Sequence, residues 1–277
     1  MSSAEFEHPP ISEVVLGVQF TPPAGWSVAH LGLLWSQFRN DFPRTETHAP
    51  LEPAIEEFEP TALFAPVRIV VADQPPPPRL WMLNASGSEL IQVQQDRFIH
   101  NWRKVDDTTP YPRYARLRDQ FARELEQFQR FLCDQGLSVP TFDQCEITYV
   151  DVLAAGAGWE RHGQLSEILT CWRPPAETGR LAEPESAQIA LHYVIPDDTG
   201  QPLGRLHVFV APATQPDTGQ PVLTLTFTAR GRPEGEGLPG VLRFLDRGHE
   251  WLVQGFVALT SEKMQRIWGR RDAATNT

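Results

Sequence analysis

The spacing of apolar residues along the chain predicts short strands separated by a few helices. In the first half, apolar runs predict strands over residues 14–20, 67–71, 80–83 and 90–102. Apolar residues three or four positions apart predict helices over residues 27–42 and 114–136. Within residues 90–102 the apolar positions change from odd to even numbers near Gln95 and Asp96, which predicts a bulge or bend in one long strand.

The second half of the chain repeats this order of elements. The pattern predicts strands over residues 146–153, 188–195, 205–211 and 222–230, with a short helix over 164–172 and a closing helix over 239–268. The offset between corresponding elements is roughly 130 residues, which favours a duplication. We therefore predict two β-α-β-β-β-α halves, residues 9–138 and 141–270, joined in one compact unit.

The predicted fold class is α+β, with an antiparallel sheet and long helices packed on one face. Each half provides a four-stranded meander, and joining the two meanders edge to edge removes one exposed sheet edge from each. The opposite face of the sheet is left either open or covered by another element.

That opposite face carries polar and aromatic residues that are suited to binding. Strand alternation and the strand end near residue 100 select the candidates. The predicted binding residues are His192, His207, Thr226, Gln92, Gln94, Arg97, Asn101 and Trp102. A half-solvated sheet face also carries Thr and Gln, so an ordinary surface is the alternative.

Metal and cofactor sites are not predicted. His192 and His207 lie on strands joined by a hairpin, but no third ligand has a suitable spacing. The three cysteines include no CxxC pair, and the chain contains no nucleotide-binding or metalloprotease motif. We therefore expect no cofactor.

Three residues on the predicted last helix are weak candidates for catalysis. Asp246, His249 and Glu250 stand at positions i, i+3 and i+4, so Asp246 lies beside both others. No nucleophile motif accompanies them, and a salt bridge at the helix surface explains the same pattern. We favour a non-enzymatic binding or interaction protein and keep an enzyme with an active site near this helix as the alternative.

The net charge of −11 bears on the partners. Such an excess of acids repels a phosphate backbone, and no basic patch compensates for it, so nucleic acid is not an expected partner. A saddle-shaped sheet is the one feature that would favour it. With no apolar run that spans a bilayer and no signal pattern, the expected location is the cytoplasm, without membrane contact. A protein partner, a small ligand and a second copy of the chain all stay open.

Three stretches resemble a known bacterial family. Residues 8–14 are similar to its opening P-I-x-E-V strand, and residues 91–114 are similar to its core I-Q-x-Q-x-D-R-F-x-x-N-W followed by Y-P-x-Y. Residues 245–269 are similar to its closing helix. This family is sporadically distributed and uncharacterised. The resemblance implies a stand-alone bacterial protein with an accessory role, in defence or on a mobile element, and it implies no catalytic residue.

Overall fold

Nine antiparallel strands form one sheet in the computed structural model, which describes residues 4–58, 77–173, 184–215 and 217–271. Nine of the eleven strands in the described residues belong to this sheet, and the first and last strands pair separately. In chain order the strands are β1 (Glu5–Phe6), β2 (Ile11–Phe20), β3 (Arg44–His48), β4 (Arg79–Leu83), β5 (Glu89–Gln94), β6 (Arg97–Arg103), β7 (Phe142–Ala154), β8 (Ile189–Pro196), β9 (Pro202–Thr214), β10 (Pro221–Gly231) and β11 (Arg270–Arg271). The helices are α1 (Ala29–Phe38), α2 (Tyr114–Asp134), α3 (Leu165–Ile168), α4 (Gly237–Leu259) and α5 (Glu262–Ile267). The strand predicted over residues 67–71 lies outside the described residues.

The strand order of the large sheet is β3-β4-β5-β6-β2-β7-β10-β9-β8, and a separate ribbon pairs β1 with β11. The first strands of the two predicted halves, β2 and β7, are neighbours at the centre. The last strand of each predicted half, β6 or β10, pairs with the first strand of the same half. The remaining strands of that half follow in reverse chain order towards the edge of the sheet. The α+β class is confirmed. The duplication and the division into halves stay predictions, although this strand order is compatible with both.

The core lies between the sheet and the long helices α2 and α4. Along α2 the buried residues recur at helical spacing and face the sheet. The ring of Phe128 stacks on that of Phe98 in β6, with 5.1 Å between the centroids. Helix α4 lies over β7 and β10. No helix in the described ranges is long and apolar enough to cross a membrane.

The single long strand predicted over residues 90–102, with a bulge or bend near Gln95, is wrong. Strand β5 ends at Gln94 and β6 begins at Arg97, and these two residues pair with each other. Residues 90–102 therefore form a hairpin, and the apolar positions change parity because the chain reverses direction. A register shift does occur in β2, between Ile11 and Glu13, where β2 pairs with β7.

Two predicted helices differ from those found. The one predicted over residues 164–172 is a single turn, α3. The predicted closing helix is interrupted at Thr260, where the backbone is extended, and Ser261 caps the start of α5 by accepting a hydrogen bond from the Met264 amide.

The sheet face opposite the helices is partly covered by the chain itself. Residues 49–58, which we call the strap, cross this face. The side chain of Gln94 accepts a hydrogen bond from the Leu51 amide, and that of Gln19 accepts one from the Ala54 amide. At the far end Glu56 contacts residues of β9 and β10. The face is therefore neither fully open nor buried by a helix layer.

Candidate functional site

A cavity of about 530 Å³ lies on the helix-covered side of the sheet, between β1, the central strands and helices α2 and α4. Its volume is typical of sites that bind small molecules. The apolar part of the wall consists of Phe6, Pro9, Ile11, Phe227, Leu252, Val253 and Phe256. The polar side chains that reach its interior are Tyr111, Tyr149, Asp151 and His249. We call this space the aromatic cavity.

Residues 4–6, around strand β1, form one wall of the aromatic cavity. The ring of Phe6 packs edge-on against Phe256, with 5.3 Å between the centroids. The carbonyl of Phe6 accepts a hydrogen bond from Nη1 of Arg113 at 3.1 Å. Arg113 itself has φ of 67°, a conformation that costs free energy for a residue with a side chain and that is often found near functional sites.

Asp151 is the most unusual residue in this cavity. It lies at an inward position of β7 and is only 4% exposed. Its carboxyl group forms no hydrogen bond or ion pair with any described residue, and it lines the cavity. Burial raises the pKa of Asp151 to about 8, because the charged form is poorly solvated there. At neutral pH the carboxyl is mostly protonated. The register shift in β2 lies directly opposite, next to Ile11.

Tyr149, two residues earlier on the same strand, forms a short hydrogen-bonded chain with its neighbours. Its hydroxyl is hydrogen-bonded to Nδ1 of His249 across 2.8 Å and accepts from the hydroxyl of Tyr111 across 3.4 Å. Burial lowers the pKa of His249 to about 4, so the ring is neutral at pH 7. In the tautomer that carries its proton on Nε2, Nδ1 accepts the proton of Tyr149. Burial also raises the pKa of Tyr149, which keeps its hydroxyl a donor.

His249 is held in place from its other side by helix α2. Its ring stacks on Tyr114, with 4.0 Å between centroids and an angle of 12°. The Tyr114 hydroxyl donates to Asp246 across 2.7 Å, and Arg118 binds the same carboxylate with two hydrogen bonds of 2.6 and 2.8 Å. Of the three predicted helix residues, His249 therefore lines the aromatic cavity and Asp246 positions the Tyr114 ring. Glu250 is exposed and lies outside the cavity wall.

The predicted binding residues of the sheet divide into two groups. Gln92, Arg97 and Asn101 line a second cavity, of about 190 Å³, on the face opposite the helices. Gln94 is next to it and binds the strap. Trp102 is different: it is buried on the helix-covered side and packs on Tyr111, with 5.4 Å between the rings.

In the second half, the rings of His192 and His207 are adjacent, with 4.9 Å between the centroids. No group of metal-binding side chains occurs in the part of the chain that the structure describes. Instead, Nε2 of His207 lies 2.6 Å from Glu56 of the strap. Thr226 is half-buried on β10, where it pairs with Val150 and Phe209.

The pattern of residues along the chain did not predict Tyr111, Tyr149 or Asp151 as site residues. A signal for Asp151 was present, because the inward positions of β7 are otherwise apolar or aromatic. An aspartate is almost never buried at an inward strand position unless it is paired, so an acid there is a candidate site residue. Tyr111 had no comparable signal, since it precedes a helix in a loop of mixed composition.

No protein-family model matches the chain, and no curated protein matches it either.

Proposed function

We propose that this protein is a non-enzymatic binding protein, and that the aromatic cavity takes a small organic amine with an apolar body. The observation that carries this proposal is the buried carboxyl of Asp151, which has no hydrogen-bond or ion-pair partner within the described ranges and lies in a largely apolar cavity. A buried acid of this kind costs free energy unless a positive charge or a hydrogen-bonding group approaches it.

No residue that the structure describes supplies such a cation at Asp151. The arginine on the cavity wall, Arg113, is exposed and already donates to the Phe6 carbonyl. His249 is neutral at pH 7 because burial lowers its pKa to about 4. An ammonium group brought by a ligand would therefore be the counter-ion of Asp151.

The walls of the cavity fit the rest of such a ligand. Rings of Phe6, Tyr149, Phe227 and Phe256 border the space. Aromatic faces attract cations and also cover an apolar body, so the same walls favour both parts of an amphipathic amine.

Calorimetric titration with 2-phenylethylamine and its neutral analogue 2-phenylethanol tests the proposal. We expect the amine to bind at least tenfold more tightly than the alcohol, and Asp151→Asn to abolish that preference. Asp143→Asn, an exposed acid on the same strand, is the matched control and keeps the preference. Equal affinity of the two compounds for the native protein would contradict the proposal.

The pH dependence of binding provides a second test. An ammonium ion needs Asp151 ionised, so affinity rises about tenfold per pH unit below the pKa of about 8 and then levels off. Binding at pH 7 releases roughly 0.9 proton to the buffer. Titrations in two buffers with different ionisation enthalpies measure this release.

An acid–base enzyme acting in the same cavity is the second candidate. It is favoured by one observation: the carboxyl of Asp151 has a pKa of about 8 and shares the cavity with the Tyr149–His249 pair. Such a carboxyl can take or give a proton near neutral pH. This candidate predicts that the α-hydrogens of cyclohexanone exchange with deuterium faster in the native protein than in Asp151→Asn. Equal exchange rates would remove it.

The accessory role in bacteria that the family resemblance implies, and a protein partner on the opposite sheet face, stay predictions. The strap already covers part of that face. A partner would therefore contact the exposed His192 beside it rather than the covered centre.

A further inference from the structure

We propose that the second cavity binds a small oxyanion, a carboxylate or phosphate group, between Arg79 and Arg97. This cavity of about 190 Å³ lies on the sheet face opposite the helices and has its own lining, distinct from that of the aromatic cavity. The proposal is independent of the function proposed above.

The two arginines have no acidic partner among the described residues. Nη2 of Arg97 donates to the side-chain oxygen of Gln19 and to the carbonyl of Glu52, each at 2.7 Å. Nη1 of Arg79 donates to the side-chain oxygen of Gln92 at 2.8 Å. All three acceptors are neutral. The carboxylates of Asp96, Glu146 and Glu52 favour the charged form of Arg97 through space, but none of them is hydrogen-bonded to its guanidinium group.

Both arginines also keep unused hydrogen-bond donors. The Nε atoms of Arg79 and Arg97 are buried and have no acceptor in the part of the chain that the structure describes. Arg97 is only 7% exposed, so bulk water does not readily replace the missing acceptor. Unpaired buried donors on a charged group cost more free energy than those on a neutral one, and an oxyanion would satisfy donors of both side chains.

The surrounding side chains hold this arrangement in advance. Nε2 of Gln92 donates to the side-chain oxygen of Asn101 at 2.7 Å, and Nδ2 of Asn101 donates to Glu13 at 2.6 Å. This chain of donors orients the Gln92 oxygen towards Arg79. The strap fixes Arg97 in a similar way through Glu52.

The acid on the cavity wall makes its ion pair with a different arginine. Glu146 lines the cavity, but its carboxylate accepts a hydrogen bond from Nε of Arg230 at 2.7 Å and forms an ion pair with that residue. Glu146 therefore acts on Arg97 only through space and leaves the hydrogen-bond donors of both cavity arginines free. The small volume of the cavity suits one acetate-sized or phosphate-sized group rather than a nucleotide.

Nuclear magnetic resonance titration of the arginine Nε–H signals tests the proposal on the full chain. Inorganic phosphate and sodium acetate are added separately, with sodium chloride at matched ionic strength as reference. We expect the signals of Arg79 and Arg97, assigned from Arg79→Gln and Arg97→Gln, to shift along a saturable curve with at least one oxyanion. Saturation by phosphate alone identifies a phosphate group, and saturation by acetate alone identifies a carboxylate.

Variants separate a specific site from general charge effects. Arg79→Gln, at a half-buried position, weakens oxyanion binding at least tenfold, whereas Arg44→Gln, at an exposed position of the same sheet, leaves it unchanged. Asp151→Asn also leaves it unchanged, which keeps this test independent of the aromatic cavity. Shifts no larger than those with chloride, or equal affinities in Arg79→Gln and Arg44→Gln, would overturn the proposal.

Discussion

Two aspartates near the aromatic cavity show how the surroundings of a carboxyl decide its role. Asp246 accepts hydrogen bonds from Tyr114 and twice from Arg118, so its charge is compensated and it joins helix α4 to helix α2. Asp151 is more deeply buried and has no such partner among the residues described. The carboxylate of Asp246 therefore stabilises the folded state, whereas that of Asp151 destabilises it when ionised. A buried residue that destabilises the folded state is a candidate for binding or catalysis.

Replacing Asp151 with asparagine should stabilise the protein at alkaline pH. Above pH 8 the native side chain is ionised in an apolar place, and the shift from 3.8 to about 8 corresponds to a penalty on the order of 5 kcal/mol. Asn carries no charge, so we expect the free energy of unfolding at pH 9 to increase by several kcal/mol. Near pH 4 the native carboxyl is neutral when folded, and the two proteins should differ little. Urea denaturation at both pH values measures the effect.

The control for this experiment is Asp143→Asn, which removes an exposed carboxyl from the same strand. It should change the free energy of unfolding by less than about 0.5 kcal/mol at either pH. If Asp151→Asn is less stable than the native protein at pH 9, then the carboxyl has a favourable partner and the proposed amine site loses its basis.

At the level of single elements, the sequence predicted most strands and both long helices, because each buries one face and shows the matching period. The hairpin of β5 and β6 was missed because its two turn residues, Gln95 and Asp96, include no glycine. A change of parity fits a bulge and a tight turn equally well. Helix ends were predicted less well, since the Ser261 cap lies within an otherwise continuous apolar pattern.

The sites were predictable only in part, for a similar reason. Gln92 was selected by strand alternation and Asn101 by its place at a strand end, and the hairpin that was not predicted brings both beside Arg97. The aromatic cavity unites residues from distant elements: Tyr111 lies 38 positions from Tyr149, which lies 100 positions from His249. The spacing of residues within one element does not show which distant residues come into contact. Here that contact depends on how helix α4 packs on the sheet.

The packing of helix α4 on the sheet predicts how an alanine at Gly248 changes the free energy of unfolding. A Cβ atom at Gly248 in helix α4 would lie 2.6 Å from a methyl carbon of Ile147 and 3.1 Å from Ala229. Gly248→Ala should therefore lower the free energy of unfolding, by about 1–3 kcal/mol, because the helix must move away from the sheet. This loss exceeds the gain in helix propensity.

Gly32 in helix α1 is the matched control, because a Cβ atom there meets nothing within 4 Å. Gly32→Ala should raise the free energy of unfolding by about 0.5–1 kcal/mol. Thermal or urea denaturation of both variants decides the matter. A stabilising Gly248→Ala would mean that helix α4 does not lie as close to β7 as the contacts indicate.

At the scale of the whole molecule, the strap joins the two halves of the sheet. Its middle binds Gln19 in the first half, and Glu56 at its end contacts Arg205, His207 and Arg230 in the second. Burial opposes ionisation of Glu56, but these three partners outweigh it and lower the pKa. The sequence could not reveal the strap, since much of its attachment uses backbone groups in a segment without apolar periodicity.

Three buried groups contribute to the way in which the free energy of unfolding changes above about pH 4.5. Asp151 holds a proton in the folded state up to about pH 8 but loses it near 3.8 when unfolded, so the free energy of unfolding falls with rising pH between these values. His249 acts oppositely: between about pH 4 and 6.5 the unfolded chain binds the extra proton, and stability rises with pH. Burial would lower the pKa of His100, but its contact with Glu124 at 2.7 Å raises it above 6.5.

We therefore expect little net change in the free energy of unfolding from pH 4.5 to 6.5, where Asp151 and His249 cancel, and a clear decrease from pH 6.5 to 8. In the upper range the stabilising proton of His100 is lost as the pH rises through its folded pKa, and Asp151 acts in the same direction. Urea denaturation at half-unit steps of pH gives this profile. In Asp151→Asn the His249 contribution is no longer cancelled, so stability should rise between pH 4.5 and 6.5. A native profile that rises from pH 6.5 to 8 would show that neither Asp151 nor His100 retains its proton in the folded chain.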